Sequence, residues 1–512
     1  MDEKRTFDLI DCVVFALMLG VSAFVGVYHA YKARSNPDAV REYLIGGQKM
    51  SIFPISMSLI ASYISGIALL GLPAEMYVYG TQYWSVIIAD AFVSLTMAII
   101  YLPVFYGLQI TSSYEYLELR FNNYVRLLGS IIFIIKMLLY IPLVIYVPAL
   151  AFNQVTGINV HVVAPLVCAV CIFYTTLGGL KAVVWTDTIQ TVVMFGGVII
   201  VAVLGTIRVG GFAEVWRRNF ITGRIEFFNT IMIMAVGIIT IVSLSCYTGI
   251  LIYAAFYDCD PVVTKQINKA DQLLPFYVME IAQSIPGLPG LFVSGVFSAA
   301  LSTMSTGLNS MSGVIYEDMI KPLMKKPLSQ VAASRVMKFM VIFIGIICVA
   351  LAGKSLSGIT AGPLLGIFTL GMFFPCANST GALVGALVSL HFVAWISLGT
   401  QAALSNGIIK IPKKPVSVEG CSEILQATAA NATLIKDTIN TTPFFLYQMS
   451  YLWYTWIGFL TAIIIGLFVS WLTGFNKYKS EDKKLYTPVI HCLLPSRSKK
   501  TNAINLEATS GS

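Results

Sequence analysis

Small side chains that carry oxygen recur with helical spacing inside one long apolar segment of this chain, roughly residues 288–319. Ala299, Ser302 and Thr303 lie at positions i, i+3 and i+4, so that a backbone carbonyl and two hydroxyls share one helix face. A small hard cation prefers oxygen ligands, and such a face inside a membrane would suit Na⁺. Hydroxyls in membrane helices also commonly bond to their own backbone or pack against a neighbour, and this alternative stays open for each of them.

An earlier apolar segment, residues 56–75, combines small and hydroxyl residues with a glycine in its middle. Gly66 permits local unwinding, and unwound backbone persists in a membrane only where it lines a cavity. Such a break offers carbonyls to a cation and a helix N-terminus to a carboxylate. The competing interpretation is a face of small residues used for close helix packing.

Charged residues also stand inside apolar segments. Lys136 would either anchor an anionic substrate, pair with a carboxylate elsewhere in the chain, or extend to the membrane interface, because an isolated ammonium is costly in lipid. Asp187 lies near a predicted cytoplasmic helix start, where Thr186 or Asp187 would cap the helix N-terminus. The alternative role for Asp187 is a step on the path by which a cation leaves.

The composition indicates a polytopic membrane protein. Hydrophobic residues make up 57% of 512 residues and charged residues only 11%, whereas soluble proteins carry about a quarter charged residues. The net charge of +8 comes from residues in short loops and the tail, which indicates orientation signals and no nucleic-acid partner. A channel or a membrane enzyme has little support, since no HExxH, GxSxG or P-loop motif stands on a suitable scaffold.

Hydrophobic periodicity predicts an all-α protein with about 12 spans. The predicted spans are residues 8–30, 52–72, 83–107, 127–150, 161–178, 184–206, 230–256, 288–318, 330–352, 359–377, 379–399 and 449–473. Residues 1–7 would form a short extracellular N-terminus, residues 8–473 the transmembrane domain, and residues 474–512 a basic, largely disordered cytoplasmic tail.

A polar stretch at about 400–448 separates the last two predicted spans. Its acceptor motifs at Asn431 and Asn440 predict a glycosylated extracellular loop. Cys259 and Cys421 fall in polar loops and would form a disulfide if both face the oxidising side.

The positions of the basic residues disagree with twelve spans. With the N-terminus outside, the basic loops near Arg120 and Lys181 fall inside, as the charge rule expects. After the predicted span 230–256, Lys321 and the basic tail would fall outside. Thirteen spans would satisfy the rule, so the pattern indicates that one span is missing or wrongly assigned.

Taken together, these stretches resemble the sodium:solute symporter family. Residues 174–190 resemble the family signature, and residues 297–309 resemble its sodium-site helix. Residues 70–83 and 362–378 are similar to the branch that contains monocarboxylate, multivitamin (biotin and pantothenate) and iodide carriers. The resemblance implies a LeuT-type symporter fold with two inverted five-helix repeats.

The resemblance also implies a sodium site between the first and eighth core helices. Backbone carbonyls of Ala61, Ile64 and Ala299 would bind Na⁺ together with the hydroxyls of Ser302 and Thr303. This set includes the helix face described above.

The same resemblance matches Asp187 to an aspartate associated with sodium release to the inside. Tyr63, Ser65 and Gly66, at the predicted break, and Lys136 are the candidate contacts for the substrate.

One departure from the family pattern coincides with the charge disagreement. The family has two spans between the signature helix and the sodium helix, whereas this chain has only residues 230–256 there. The sixth core helix, which normally lines the substrate cavity, has no counterpart around residues 224–229. The chain therefore apparently lacks the sixth core helix of the usual 13-span arrangement.

The expected function is Na⁺-coupled symport of small organic monocarboxylates or vitamin anions by alternating access in the plasma membrane. The expected partners are Na⁺, an anionic small molecule and the lipid bilayer, with no other cofactor and no enzymatic activity. The alternative is a transport-inactive membrane protein of this type with a regulatory or interaction role.

Overall fold

The computed structural model is predominantly helical. It describes residues 8–33, 50–81, 83, 86–110, 112–221, 238–267, 270–281, 286–324, 328–350, 359–405, 408–409, 416–422, 444–476, 480–492 and 494. The predicted N-terminus 1–7, the glycosylation acceptors Asn431 and Asn440, and residues 224–229 lie outside this part of the chain.

The helices before residue 222 are α1 (Leu9–Ala33), α2 (Ile52–Tyr63), α3 (Gly66–Tyr79), α4 (Val86–Thr96), α5 (Leu102–Leu108), α6 (Glu115–Arg120), α7 (Asn123–Thr156), α8 (Val160–Val209) and α9 (Phe212–Ile221). Those that follow are α10 (Ile238–Ala255), α11 (Leu273–Ile281), α12 (Leu288–Val314), α13 (Gln330–Ala350), α14 (Ala361–Phe373), α15 (Ser379–Ser405) and α16 (Tyr454–Leu472). Short π-helical turns, Met97–Tyr101 and Ile315–Ile320, continue α4 and α12.

Within the described residues, 8 helices are long and apolar enough to cross a membrane, or up to 9 if the bent pair α2–α3 is one span. Helix α8 has 50 residues, more than the approximately 20 that one crossing needs. It includes the predicted spans 161–178 and 184–206, and its backbone kinks between them at Gly179, where φ is 59°. The exact number of spans stays a prediction.

The chain divides into two compact units. The first contains residues 1–92, 133–357 and 399–448. In its core, α8 and α12 pack against each other, and both pack against α1. Aromatic and aliphatic side chains of α1, α7 and α12, including Phe15, Phe152 and Phe297, are buried in this core, so these helices form the scaffold of the first unit.

A disulfide joins Cys259, which follows α10, to Cys421. Backbone hydrogen bonds reinforce this junction, since Asp260 N donates to Ser417 O over 3.1 Å and Gly420 N donates to Asp258 O over 2.9 Å. The segment 416–422 is thereby attached to the end of α10.

A buried carboxylate connects the same junction to α3. Tyr77 of α3 donates its phenol proton to Asp260 Oδ2 over 2.8 Å, and Asp260 Oδ1 accepts from the backbone N–H groups of Val262 and Val263. With its carboxylate oxygens satisfied by three donors, Asp260 fixes the turn after α10 against α3.

Helix α9 carries an ion-paired cluster outside the membrane spans. Glu214 accepts hydrogen bonds from Arg217 and Arg218, which lower the pKa of its carboxyl to about 2. Arg218 also donates to Ala254 O in the last turn of α10. A cation at this position satisfies a terminal carbonyl and interacts favourably with the helix dipole.

The second unit contains residues 93–132, 358–398 and 449–512, and a buried arginine organises one end of it. Arg120, at the end of α6, donates to the carbonyl oxygens of Gly371, Phe374 and Ala377. These acceptors lie at the C-terminus of α14, where a guanidinium satisfies carbonyls that have no partner within the helix.

The segment 480–492 folds onto this same end of the second unit. Residues Ser480–Leu485 and Pro488–Ile490 form short 3₁₀ helices. Tyr116 donates to Leu485 O, Arg120 lies over the ring of Tyr486, and the buried Thr487 donates to Ile100 O. The prediction of a largely disordered tail is therefore wrong for 480–492, because Tyr486 and Thr487 in it are buried.

Candidate functional site

The break between α2 and α3 lies at Ile64 and Ser65, whose backbones are extended. The two helices are bent by 52°, and Gly66 is the first residue of α3. A Cβ atom on Gly66 would lie 3.1 Å from Val296 O of α12 and 2.9 Å from Pro148 Cγ of α7. The absent side chain thus allows the broken segment to approach both helices, and the predicted unwinding and close packing occur together.

Thr303 connects α12 to the end of α2. Its hydroxyl oxygen lies 3.1 Å from Ala299 O in its own helix and 3.5 Å from Ser62 O across the interface. A second hydroxyl contact joins Ser62 Oγ to Thr306 Oγ1 over 3.1 Å. Carbonyl and hydroxyl oxygens from both helices are therefore concentrated at this contact.

Ser302 differs from the other hydroxyl residues around it on α12. Ser294, Ser298, Thr303 and Ser305 each donate to a carbonyl three or four residues earlier. Ser302 is 0% exposed, and its Oγ has no hydrogen-bond partner among the described residues. The common back-bonded role therefore applies to its neighbours, and Ser302 retains an oxygen for another partner.

Asp187 of α8 lies at the same contact and is also 0% exposed. Its Oδ2 accepts the hydroxyl proton of Ser58 in α2 over 2.5 Å, while Oδ1 has no hydrogen-bond partner within the described chain. The hydroxyls of Ser302 and Thr306 approach the same carboxylate, but neither Ser302 Oγ nor Asp187 Oδ1 has the geometry of a hydrogen bond. Two buried oxygens at this contact are thus without a hydrogen-bond partner among the described residues.

The prediction that Asp187 or Thr186 caps a helix is wrong. Helix α8 starts at Val160, where Asn159 accepts from the backbone N–H of His161, and it continues through the kink at Gly179. Asp187 is an interior residue of this helix. Thr186 donates to Val183 O, which is back-bonding rather than capping.

The remaining predicted sodium ligands are buried on the expected elements. Ala61 is on α2, and Ile64 is at the break. Ile64 and Ala299 belong to one buried apolar cluster, together with Met194 and Val198 of α8. The first unit thus brings Ile64, Ala299 and Thr303 to the α2–α12 contact and gives Ala61 a buried position at the end of α2.

The predicted substrate contacts are not gathered in one place. Ser65 and Gly66 are buried at the break. Tyr63 is 52% exposed and donates its phenol proton to Asp90 Oδ1 over 2.5 Å, so it points away from this buried contact. Lys136 is half-buried on α7 and has no ion pair or hydrogen bond among the described residues, so the carboxylate partner considered for it does not occur there.

Ser58, Ser62 and Thr306 contribute to the site although the sequence did not single them out. Ser58 and Ser62 are four residues apart, as are Ser302 and Thr306, and this spacing places each pair on one helix face. The period-four recurrence of hydroxyls on α2 and on α12 is the signal that would have found them.

Comparisons with known proteins show what the chain as a whole is similar to. A model of the family described as "Sodium:solute symporter family" matches residues 43–221 and 221–389. The chain is similar to Sodium-coupled monocarboxylate transporter 1 of Xenopus laevis, with 34% identity over 94% of this chain and 88% of that protein. It is also similar to the Sodium-dependent multivitamin transporter of Oryctolagus cuniculus, with 35% identity over 96% and 86%.

A solved structure of a Na⁺-coupled sialic acid symporter, in a substrate-bound outward-open state, has the same fold. Its TM-score is 0.72 at 23% identity, and the match covers 92% of this chain and 99% of that chain. The predicted all-α, LeuT-type symporter fold is therefore confirmed.

Proposed function

We propose that this chain, which belongs to the sodium:solute symporter family, couples the entry of Na⁺ to the uptake of a small organic anion across the plasma membrane by alternating access. Monocarboxylates and vitamin anions are the proposed substrate class. The named activities of the two transporter relatives support this choice of substrate. The oxygen-rich contact between α2, α8 and α12 supports the coupling to Na⁺.

The observation that carries the proposal is the pair of buried oxygens Ser302 Oγ and Asp187 Oδ1, which have no hydrogen-bond partner among the described residues. Leaving a buried polar group unsatisfied costs about 1–3 kcal/mol, and more when the group is charged. A monovalent cation bound by oxygens would offset this cost, and Na⁺ prefers oxygen ligands.

The proposed sodium ligands are the carbonyls of Ala61, Ile64 and Ala299 with the hydroxyls of Ser302 and Thr303. They come from two helix groups, so Na⁺ would favour the arrangement in which α2 and α12 are close together. The free energy of coupling then equals the difference in Na⁺ affinity between the outward and inward arrangements.

Asp187 is the proposed exit step for Na⁺. The hydroxyl of Ser302, itself a proposed ligand, lies beside the Asp187 carboxylate, so a cation would pass from the ligand set to Asp187 without losing all its oxygen contacts. The Ser58 hydroxyl holds one carboxylate oxygen and leaves the other to receive the ion.

For the anionic substrate, the proposed contacts are Ser65 and Gly66, where α3 begins. The ammonium of Lys136 is proposed as a separate point of attraction for the anion, because it lies about 18 Å along α7 from Pro148, which packs against Gly66. The N–H groups at a helix N-terminus suit a carboxylate, and Lys136 has no competing carboxylate within the described residues. Tyr63 is withdrawn from this set because its phenol is bonded to Asp90.

A specific observation supports a second candidate function, that of a transport-inactive membrane protein. The family match is split at residue 221, beside the place where the sequence indicates a missing sixth core helix. The alignment with the Xenopus relative also runs over 554 positions although this chain has 512 residues, so that relative has segments that this chain lacks. Without a helix that lines the substrate cavity, Na⁺ would bind but not drive uptake.

Uptake into vesicles tests both functions. The purified chain is reconstituted, and the entry of radiolabelled pyruvate and biotin is measured with an inward gradient of Na⁺ or of choline. Na⁺-dependent entry of either compound supports symport. A matched chimera carries, after Arg224, the segment of the Xenopus transporter that this chain lacks, and uptake by the chimera alone would support the inactive alternative.

A further inference from the structure

Helix α1 buries one narrow stripe of its surface. The buried residues of α1 are Asp11, Phe15, Met18, Ser22 and Gly26, at positions i, i+4, i+7, i+11 and i+15, which is the spacing of a single helix face. This anchor stripe includes a carboxylate and a hydroxyl, neither of which is needed for apolar packing.

The carboxylate of the stripe binds the start of the proposed sodium helix α12. Asp11 is 0% exposed, and its Oδ1 accepts the backbone N–H of Gly290 over 3.1 Å. Gly290 lies in the first turn of α12, where N–H groups have no partner within the helix and an anion is favoured. A Cβ atom on Gly290 would overlap the backbone carbonyl of Asp11, so the two backbones touch.

The hydroxyl of the stripe binds α8 close to Asp187. Gln190 donates from Nε2 to Ser22 Oγ over 3.0 Å, and Ser22 donates in turn to Met18 O. Gln190 is one helical turn after Asp187, so this bond holds the turn of α8 that carries the proposed exit carboxylate.

Further contacts of the stripe reach both helices near the proposed ligands. The rings of Phe15 and Phe297 are 5.2 Å apart, and Phe297 precedes Ala299 by two residues. Gly26 touches α8 at Tyr174, whose phenol donates to Leu301 O, next to Ser302, over 3.4 Å. Helix α1 is thus attached to α8 and α12 at several points along its length.

We propose that Asp11 and Ser22 are positioning residues for sodium binding. The anchor stripe holds α8 and α12 in the register that sets Asp187 beside Ser302, so α1 is part of the scaffold that determines Na⁺ affinity. This inference rests on the proposed sodium coupling. It adds helix α1, which supplies none of the proposed Na⁺ ligands. Removing a group that orients the ligands of an ion usually lowers the affinity for that ion by about tenfold or more.

The test compares four variants of the full-length chain with the wild type. Asp11→Ala and Ser22→Ala remove an anchor, Asp11→Asn keeps an acceptor for Gly290, and Val13→Ala changes the exposed face of α1 as a control. The Na⁺ dependence of thermal unfolding in detergent, titrated against choline, gives the Na⁺ concentration at half effect and requires no transport. The unfolding temperature in choline alone reports general stability.

We expect Asp11→Ala and Ser22→Ala to raise the Na⁺ concentration at half effect by about tenfold, whereas Asp11→Asn stays nearer the wild type and Val13→Ala matches it. Lower unfolding temperatures in choline with unchanged Na⁺ dependence would show a purely structural role and overturn the inference alone. A wild-type chain that does not respond to Na⁺ would overturn the proposed function, and this inference with it.

Discussion

Ser58 and Asp187, which are 129 residues apart in sequence, share a hydrogen bond of 2.5 Å between α2 and α8. This bond satisfies one oxygen of a fully buried carboxylate and leaves the other without a hydrogen bond, close to the unbonded hydroxyl of Ser302. The pair therefore connects α2 to the proposed path of Na⁺, and the predictions below start from it.

Replacing Ser302 with alanine should weaken Na⁺ binding more than the same change at Ser298. Ser302 Oγ has no partner in the described chain, whereas Ser298 donates to Ser294 O in the same helix. The loss of a hydroxyl bonded to a charge, worth about 1.5–3 kcal/mol, predicts a rise of about ten- to a hundredfold in the half-saturating Na⁺ concentration. Na⁺-titrated unfolding measures it, and equal effects of the two changes would contradict the assignment of Ser302.

The variant Asp187→Asn should slow Na⁺ release. The amide keeps the shape and can still accept from Ser58, but it no longer offers a negative charge to the cation in a low-dielectric site. We expect a drop of about tenfold in the turnover of Na⁺-driven uptake. Uptake into vesicles measures it, with the substitution made in this chain or in the chimera described above. If Asp187→Asn instead transports at the wild-type rate, Asp187 is not on the exit path. Ser58→Ala is the companion variant, because it removes the hydrogen bond and keeps the charge of the Asp187 carboxylate.

A methyl group at Gly66 should disturb the site, while one at Gly71 in the same helix should not. A Cβ atom on Gly66 would lie 3.1 Å from Val296 O, a backbone atom that moves only with α12, whereas none of the described atoms lies within 4 Å at Gly71. We expect Gly66→Ala to lose the Na⁺-dependent rise in unfolding temperature and Gly71→Ala to keep it. Retention of the full Na⁺ response by Gly66→Ala would show that α2–α3 and α12 do not approach this closely.

Removing the Cys259–Cys421 disulfide should lower stability without changing Na⁺ affinity. The bond closes a sequence separation of 162 residues, and loss of a native disulfide typically costs about 2–5 kcal/mol. Cys259→Ser, Cys421→Ser and the double variant should therefore unfold at the same lowered temperature, which thermal denaturation measures. Cys376→Ser, at a free and half-buried cysteine, is the control, and additive losses in the double variant would indicate that the two residues act separately.

Much of the site was predictable because it depends on local spacing. The offsets of Ala299, Ser302 and Thr303 place three oxygens on one face of α12 whatever surrounds the helix. Which hydroxyl stays free is decided by neighbours, and the sequence does not reveal that Thr303 is back-bonded and near Ser62 while Ser302 is not.

Errors arose where a residue's role depends on a distant partner. Asp187 was expected to cap a helix because it lies near the start of the predicted span 184–206, but α8 passes through Gly179 and leaves it in the helix interior. Tyr63 was predicted as a substrate contact from its place at the break, and its hydrogen bond to the distant Asp90 was not foreseen. Asp11 and Ser22 were not identified, because their partners Gly290 and Gln190 lie far along the chain.

Tyr486 packs against Arg120, and Thr487 donates a hydrogen bond to Ile100 O. These contacts determine where the chain can be labelled. A fluorescent reporter fused directly after α16, in place of residues 480–492, would uncover the side of Arg120 that Tyr486 covers and remove a hydrogen bond to Ile100 O. Such a fusion would report on a damaged protein. Reporters and affinity tags belong beyond residue 494, where they leave these contacts intact.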